Sequence, residues 1–569
     1  MTRWRAVAGC LTVAGVVAAA TLVWLADRHP HAAQRLGGQL TQTVSELTDQ
    51  QPAGGEVTVR PDLGATGSPI SPLIYGVAAA GAEAVQALGA TLDRAGGNPS
   101  SRFNWVIGHA WNTGRDWQFR NVNYSGSPDA TADDGVAAAL SQGVTPLQTV
   151  PTIGWVARDD DNHTQSQHVP AEGGPPVRPG SDAIAGYDPT ENRAITSVPS
   201  YARKPGPLSL VPDPASSAVY QDEFVHHIVE RYGATTHGVL YFAMDNEPDL
   251  WSSTHTDIHP VRMGYDAMLA NFLDYASAVK DQAPAAKVLG PDVSGWTGYL
   301  FSALDRGGDN FATHADRKAH GGEAFLPWWL RQVARSDAAS GRRTLDYLDV
   351  HYYPQAQGVV SNAADSATQA LRIHSVRGLY DPNYQDESWI ATNVMLIPRL
   401  KRWIADNYPG TRLAITEYKW GGEKDASGAV AQAEVLGVFG REGVDLAAYW
   451  TYPRPDSPVG AAFRLYRNYD GRGATFGDRS LPVRSSGRQV AAFAARHSSS
   501  SEVDVILANE SQAGQVGVHL QLGTAGTYQA TPYCIRPGSG LIEKGVTGSP
   551  ADALKLPPLG VCLIRLLPA

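Results

Sequence analysis

From residue 73 onward, short and nearly unbroken apolar runs alternate with stretches in which apolar residues recur every three to four positions. The unbroken runs are Leu73–Ala79, Ala90–Asn98, Thr145–Trp155, Val239–Pro248, Lys287–Trp296, Leu345–Pro354, Arg412–Trp420 and Asp445–Tyr452. Such runs read as strands buried on both faces, hence parallel strands covered by helices. The periodic stretches supply the helices. Phe224, Ile228 and Tyr232 line one face; Met268, Leu269, Phe272, Tyr275 and Val279 another; Leu396, Leu400, Trp403 and Ile404 a third; Ala431, Val435 and Phe439 a fourth. Eight strand–helix units predict an α/β fold, a (β/α)8 TIM-like barrel. An open doubly wound sheet is the alternative, but no glycine-rich phosphate turn follows the first run.

Near residue 480 the period changes to two. Val503, Val505 and Leu507 alternate with other residues, and Val516, Val518, Leu520 and Leu522 do so strictly. Strand-like stretches at Tyr528–Ile535 and around Val561 and Leu563 continue the pattern. This predicts a C-terminal antiparallel β-sandwich. Glu56–Arg60 also reads as a strand, placed to return and pair with that sheet. The expected division is an N-terminal segment 1–26, a linker 27–54, a returning strand within 55–70, a barrel 71–480 and a sandwich 481–569. The stretch from Arg158 to Pro214 is long and rich in Gly, Pro, Ser and Asp. It follows the third strand, where a long loop covers the catalytic end of a barrel.

Arg3 and Arg5 precede an uncharged run, Ala6–Ala26, of 21 residues. A helix of that length spans a bilayer core of about 30 Å. It reads as an uncleaved anchor or a cleaved signal peptide, and both export the body. Trp24-Leu25-Ala26-Asp27 is a poor cleavage site and favours the anchor. The protein is therefore expected to be secreted, or periplasmic or extracellular and tethered, meeting the membrane only through this segment. Of three cysteines, Cys534 and Cys562 fall in predicted C-terminal strands. Either they form one disulfide in an oxidising compartment or they are two buried thiols.

The net charge of −10 disfavours nucleic acid as a partner. With 43% hydrophobic and 18% charged residues, the 569-residue chain builds a large core and is not a disordered one. Two carboxylates then stand out. Glu247 ends the fourth run, in Met244-Asp-Asn-Glu-Pro248, and Glu417 ends the seventh, in Ile415-Thr-Glu-Tyr418. Barrel enzymes carry their chemistry at strand C-terminal ends. Two carboxyls facing each other across the mouth are what glycosidic cleavage needs: one protonates the leaving oxygen, and the other attacks or activates water.

Several stretches carry a resemblance. Arg94-Ala-Gly-Gly-Asn98, Arg102-Phe-Asn-Trp105, Met244-Asp-Asn-Glu-Pro-Asp-Leu-Trp251 and Asp349-Val-His-Tyr-Tyr-Pro354 come first. Tyr380-Asp-Pro382 through Trp389, Ile415-Thr-Glu-Tyr418, Ser427–Gln432 and Arg467–Gly471 follow. In that order, over roughly residues 70–500, the chain resembles glycoside hydrolase family 44, a group of endo-β-1,4-glucanases and xyloglucanases. The resemblance implies a barrel plus a sandwich and a retaining mechanism, with Glu247 as acid/base and Glu417 as nucleophile. It places Asn246 where a sugar 2-hydroxyl is bound. Arg94, Asn98, His351 and Tyr353 end strands and are expected to orient the nucleophile or hold hydroxyls. Trp105, Trp155, Trp251, Trp420 and Trp450 lie at or beyond strand ends and are expected to stack on sugar rings; the chain has 14 Trp in all.

Val106, Gln355, Ala95 and Pro99 depart from the family pattern, which puts the binding surface and any structural calcium in question. Asp159-Asp160-Asp161 offers hard oxygen ligands for calcium, or is a solvated acidic loop. No cofactor is required for the reaction. His255 and His259 have helical spacing but lack the glutamate of a zincin, and Pro260 follows. The expected partner is a polysaccharide and the expected state a monomer. The competing readings are a retaining hydrolase of xylan or glucomannan, and a non-catalytic polysaccharide-binding envelope protein.

Overall fold

A computed structural model describes residues 55–169, 188–307, 309–523 and 527–569. The apolar run Ala6–Ala26 and the linker expectation lie outside these residues. Among the described residues, no helix is long and apolar enough to cross a membrane.

All eight apolar runs contribute one strand each to a closed parallel barrel, and chain neighbours are barrel neighbours. The strands are Gly76–Ala78, Leu92–Ala95, Thr145–Val150, Tyr241–Met244, Lys287–Val293, Tyr347–Tyr352, Arg412–Tyr418 and Leu446–Tyr449. The third run is shorter than its apolar pattern. Pro151 has no N–H to extend the ladder, and Gly154 turns at φ 86°. Trp155–Ala157 then joins Ser197–Tyr201 and Val219–Tyr220 in a separate three-stranded sheet built by the long loop.

Along a strand, every second residue points into the barrel. The lower interior is apolar: Leu92, Leu147, Ala243, Leu289, Tyr347, Ala414 and Leu446 form one buried cluster. Two residues further along the second, sixth and seventh strands, the inward positions become Arg94, Asp349 and Thr416, all fully buried. The helices close the outside through the faces the periodicity marks, with Phe224, Ile228, Met268, Phe272, Leu396, Leu400, Val435 and Phe439 buried.

The second body is two packed sheets. Seven strands run in the order Ser68–Pro69, Arg479–Leu481, Val490–Arg496, Val503–Asn509, Val561–Pro568, Tyr528–Ile535 and Ile542–Lys544. Facing them are Val483–Ser485, Gly55–Pro61, Val516–Leu520 and Leu554–Leu556. The N-terminal strand therefore sits inside the smaller sheet, parallel to Val516–Leu520. Val503–Asn509 is buried along its whole length. Val503, Val505 and Leu507 face the sandwich core, while Ile506 and Ala508 join the barrel's outer core. The larger sheet is thus covered on both faces. The docking is close: a Cβ on Gly437, in the helix Ala426–Glu442, would lie 2.3 Å from the Phe493 ring.

Cys534 and Cys562 are directly opposed on antiparallel strands and are bonded. Closing a loop with a sequence separation of 28 removes unfolded-state entropy equivalent to about 3–4 kcal/mol. Urea unfolding of Cys562→Ser beside the oxidised wild type is expected to show a loss of that order. Equal midpoints would mean that the sheet alone carries the stability.

Candidate active site

The mouth is built around one buried guanidinium. Arg94 is the next-to-last residue of the second barrel strand and has no solvent exposure. Its Nη1 donates to Glu417 Oε1 at 2.7 Å. Its Nη2 donates to Asn246 Oδ1 at 3.0 Å and meets His351 Nε2 at 3.3 Å. The Nδ1–H of His351 donates to Glu247 Oε1 at 3.0 Å. Tyr353 donates its hydroxyl to Glu417 Oε2 at 2.8 Å. Asn246 Oδ1 also accepts from the Gly97 amide at 3.1 Å, and its Nδ2 reaches Asn98 at 3.5 Å. Asn98 is held from the other side by Asp116 at 2.9 Å.

Strand irregularities aim the two glutamates. Ile415 faces the outer core, so strict alternation would send Glu417 outward as well. The register between the sixth and seventh strands shifts instead, with Val350 opposite Ile415 but His351 opposite Glu417. Thr416 is the extra residue of this bulge, and it turns Glu417 into the mouth. On the fourth strand the chain passes through left-handed backbone at Asp245 (φ 70°) and Glu247 (φ 47°). Asp245 is locked there by accepting the amides of Thr152, Ile153 at 3.0 Å and Asn246 at 2.8 Å.

The electrostatics separate the pair. Burial pushes the Glu247 carboxyl up, and the nearby Glu417 charge adds to this against the pull of His351. Burial alone would also raise Glu417. The charges of His351 and Arg94 and the hydrogen bonds from Arg94 and Tyr353 outweigh it and hold Glu417 below its ordinary value. Burial works against protonation of His351, yet the two carboxylates leave the ring above its ordinary value. One carboxylate oxygen from each glutamate and a ring nitrogen of His351 lie within 4.8 Å of one another. Such a trio offers ligands to a cation, but Arg94 already supplies the positive charge there. One glutamate poised as an acid beside one poised as an anion can perform acid–nucleophile chemistry.

Three of the five tryptophans expected to stack on sugars do not line the mouth. Trp105, Trp251 and Trp420 are each 1% exposed. Each packs beneath a helix or loop with its indole N–H satisfied inside the protein. Trp105 donates to the Tyr220 carbonyl and stacks on Phe224, Trp251 donates to the Asn246 carbonyl, and Trp420 donates to Ser375 Oγ. Trp155 is half-buried, with the Arg193 guanidinium 5.7 Å from its ring centroid. Trp450 is half-buried and lies over Gly97. Among the described tryptophans, the open rings are ones the strand-end rule passes over: Trp389 is 61% exposed and Trp117 50%. Trp389 belongs to the Tyr380–Trp389 stretch, which was the available signal. It lines a cavity of about 360 Å³ with Asp249, Leu250, Phe301, Arg306 and Phe311, beginning two residues past Glu247.

The acidic run does not fit a calcium cage. Asp159 accepts from Asn121 at 3.0 Å, Asp160 pairs with His109 at 3.1 Å, and Asp161 closes its own turn on the amides of His163 and Thr164. Asp159 and Asp161 share the Thr164 hydroxyl, at 3.2 and 2.7 Å, but the three carboxylates are not among the described groups whose ligand atoms come together.

A parallel eight-stranded barrel with two closely paired glutamates at its mouth is the architecture of a glycoside hydrolase. A family model described as glycoside hydrolase family 44 matches residues 110–356. Endoglucanase A of Paenibacillus lautus is 32% identical over 526 residues, which is 87% of this chain and 69% of that protein. CelM2, a bifunctional glucanase-xylanase from a metagenome library, superposes with a TM-score of 0.80 at 35% identity, over 91% of this chain and all of that one. A Paenibacillus polymyxa xyloglucanase of family 44, solved with xyloglucan, gives 0.78 at 30% identity, over 90% of this chain and all of that one. The chain belongs to glycoside hydrolase family 44.

Gly96 and Gly97 explain why the second strand ends in a glycine pair. A Cβ on Gly96 would lie 2.4 Å from the Arg94 guanidinium, and one on Gly97 2.3 Å from the Trp450 ring, at φ 90°. Gly97→Ala is expected to fold with a loss of about 1–3 kcal/mol, because its backbone (φ 90°, ψ 170°) lies where essentially only glycine is found. It should shift the tryptophan fluorescence and lower kcat/KM by at least about tenfold, through displacement of Trp450. Unchanged kinetics would show that the indole has no part in substrate positioning.

Proposed function

We propose that the protein is a retaining, endo-acting hydrolase of β-1,4-linked glucan chains, xyloglucan among them. The observation that carries the reading is the close approach of Glu247 and Glu417, with carboxylate oxygens within 4.8 Å. Retaining enzymes hold the carboxyls about 5–5.5 Å apart, whereas inverting ones leave about 6.5–9.5 Å for a water. The names of the relatives supply the substrate class. The likeness to a glucanase-xylanase supports xylan as a second polymer.

In this reading Glu247 carries a proton and Glu417 does not. Glu417 attacks the anomeric carbon as Glu247 protonates the leaving oxygen, giving a glycosyl ester on Glu417 and a free chain end. Glu247, now a carboxylate, takes a proton from water. The resulting hydroxide equivalent attacks the anomeric carbon, and Glu417 leaves as a carboxylate. Arg94 and Tyr353 stabilise Glu417 in its anionic form, and His351 orients Glu247. Asn246, fixed by Arg94 and the Gly97 amide, presents its Nδ2 to a sugar hydroxyl. The cavity beyond Glu247, with Trp389 on its wall, takes the leaving chain. The disulfide suits an oxidising compartment. Export through the N-terminal apolar run, with or without a retained tether, is part of the same reading.

The test is reducing-sugar release from carboxymethylcellulose, xyloglucan, xylan and glucomannan by residues 50–569. Release from none of them excludes a hydrolase of these chains. Glu247→Ala is expected to lose roughly 10²–10⁴-fold. Azide should rescue Glu417→Ala and yield a product of inverted configuration.

The active form, with Glu247 protonated and Glu417 ionised, exists between a lowered and a raised pKa. Activity should rise with pH through the Glu417 ionisation and fall through that of Glu247. Tyr353→Phe removes a hydrogen bond that favours the Glu417 anion, so the acidic limb should move upward while the alkaline limb stays. A shift of the alkaline limb alone would reverse the two roles.

A further inference from the structure

The barrel holds a second pair of carboxyls that the mechanism above does not use. Asp292 is the extra residue of a bulge in the fifth strand: Pro291 lies opposite Asp349, and Val293 opposite Val350. It has left-handed backbone at φ 54° and no solvent exposure. Among the described residues, no N–H or O–H donor reaches either of its carboxyl oxygens. Its one side-chain partner is the carboxyl of Asp349, within hydrogen-bonding reach.

Two carboxylates cannot hydrogen-bond without a proton between them. Asp349 already accepts two hydrogen bonds from Thr416, from the amide at 3.1 Å and the hydroxyl at 2.7 Å. The geometry therefore puts the shared proton on Asp292. Burial, and then the charge of Asp349, push the Asp292 carboxyl far above the ordinary range; Arg94 opposes them and Asp245 adds to them.

Each end of this arrangement reaches a catalytic glutamate. Thr416 is the bulge residue that turns Glu417 into the mouth. The Asp292 main-chain carbonyl accepts the Glu247 amide at 3.0 Å. Asp349, on the strand between, touches both bulges. We propose that Asp292 is a positioning residue: as a neutral carboxylic acid it donates to Asp349 and so ties together the two bulges that aim Glu247 and Glu417. Its neutrality has a second use. Arg94 then sees a single negative charge from below, and its Nη1 remains with Glu417.

The inference rests on the roles proposed for Glu247 and Glu417, so its test includes a readout independent of them. Asp292→Asn keeps an N–H donor toward Asp349 and tolerates left-handed backbone. Asp292→Gly keeps that backbone and removes the side chain. In the full chain, the infrared spectrum of wild type minus Asp292→Asn at neutral pH is expected to show one protonated carboxylic acid band. On carboxymethylcellulose, Asp292→Asn should keep kcat within about threefold of wild type. Asp292→Gly should lose roughly ten- to hundredfold in kcat with KM within about twofold. A wild type without the infrared band, an Asn variant as impaired as the Gly variant, or a Gly variant with wild-type kcat would each overturn the proposal. Should the Gly variant fail to fold, the band and the Asn kinetics decide it. Inactivity of the wild type on every polysaccharide would defeat the hydrolase reading while leaving the infrared result standing.

Discussion

The mouth of the barrel depends on the buried ion pair between Arg94 and Glu417. Both groups are buried, so protein partners stand in for most of their solvation. Removing one member of such a pair typically costs about 3–5 kcal/mol, because the other is stranded. Much of the surrounding sequence answers that requirement. Asn246 and His351 take the second guanidinium nitrogen, Tyr353 takes the second oxygen of Glu417, and Gly96 is small enough to lie against the cation. The same constraint makes the two glutamates unlike. Of the two glutamates only Glu417 takes a guanidinium hydrogen bond, and it is held below its ordinary value, while burial, partly offset by His351, raises Glu247.

The barrel's interior has a vertical order that follows from alternation. Inward positions are apolar below and polar above, and the change occurs within two residues on several strands. Strict alternation cannot supply every side chain the mouth needs, because the end of a strand offers only one parity. Bulges in the fifth and seventh strands break that parity where extra inward residues are required. The cost is unpaired backbone and left-handed residues, met by short polar side chains that bond to the neighbouring strand.

Much of this was legible in the sequence. Eight parallel strands buried on both faces leave eight unbroken apolar runs, and all eight found their places. Glu247 and Glu417 stood out because a charge at the end of such a run has no packing explanation. Val503–Asn509 was readable as a strand, but its double burial was not, since that comes from docking on a barrel helix. The tryptophans misled for a physical reason. A position just past a strand end can face the mouth or turn under the adjoining helix, and an indole N–H is satisfied equally well by a carbonyl in either place. Trp105, Trp251 and Trp420 took the second course, whereas Trp389 stands on a loop and Trp117 ends a single short 3-10 turn, neither with a period to mark it. The bulges left no trace either, because an inserted residue such as Thr416 or Asp292 looks like any other residue in its run.

The strand Gly55–Pro61 lies between Val483–Ser485 and Val516–Leu520, parallel to the latter. It is synthesised before any of the barrel, yet its partners come more than 400 residues later. Through most of translation it has no place to pair, and both of its edges stay open to other chains. The finished fold is closed like a clasp, with the first of the described strands fastened between two strands of the C-terminal region. A ribosome that stops early would release a barrel whose own leading segment remains an unpaired β-edge. Completion of synthesis is what supplies the partners of that edge, quite apart from the protein's chemistry.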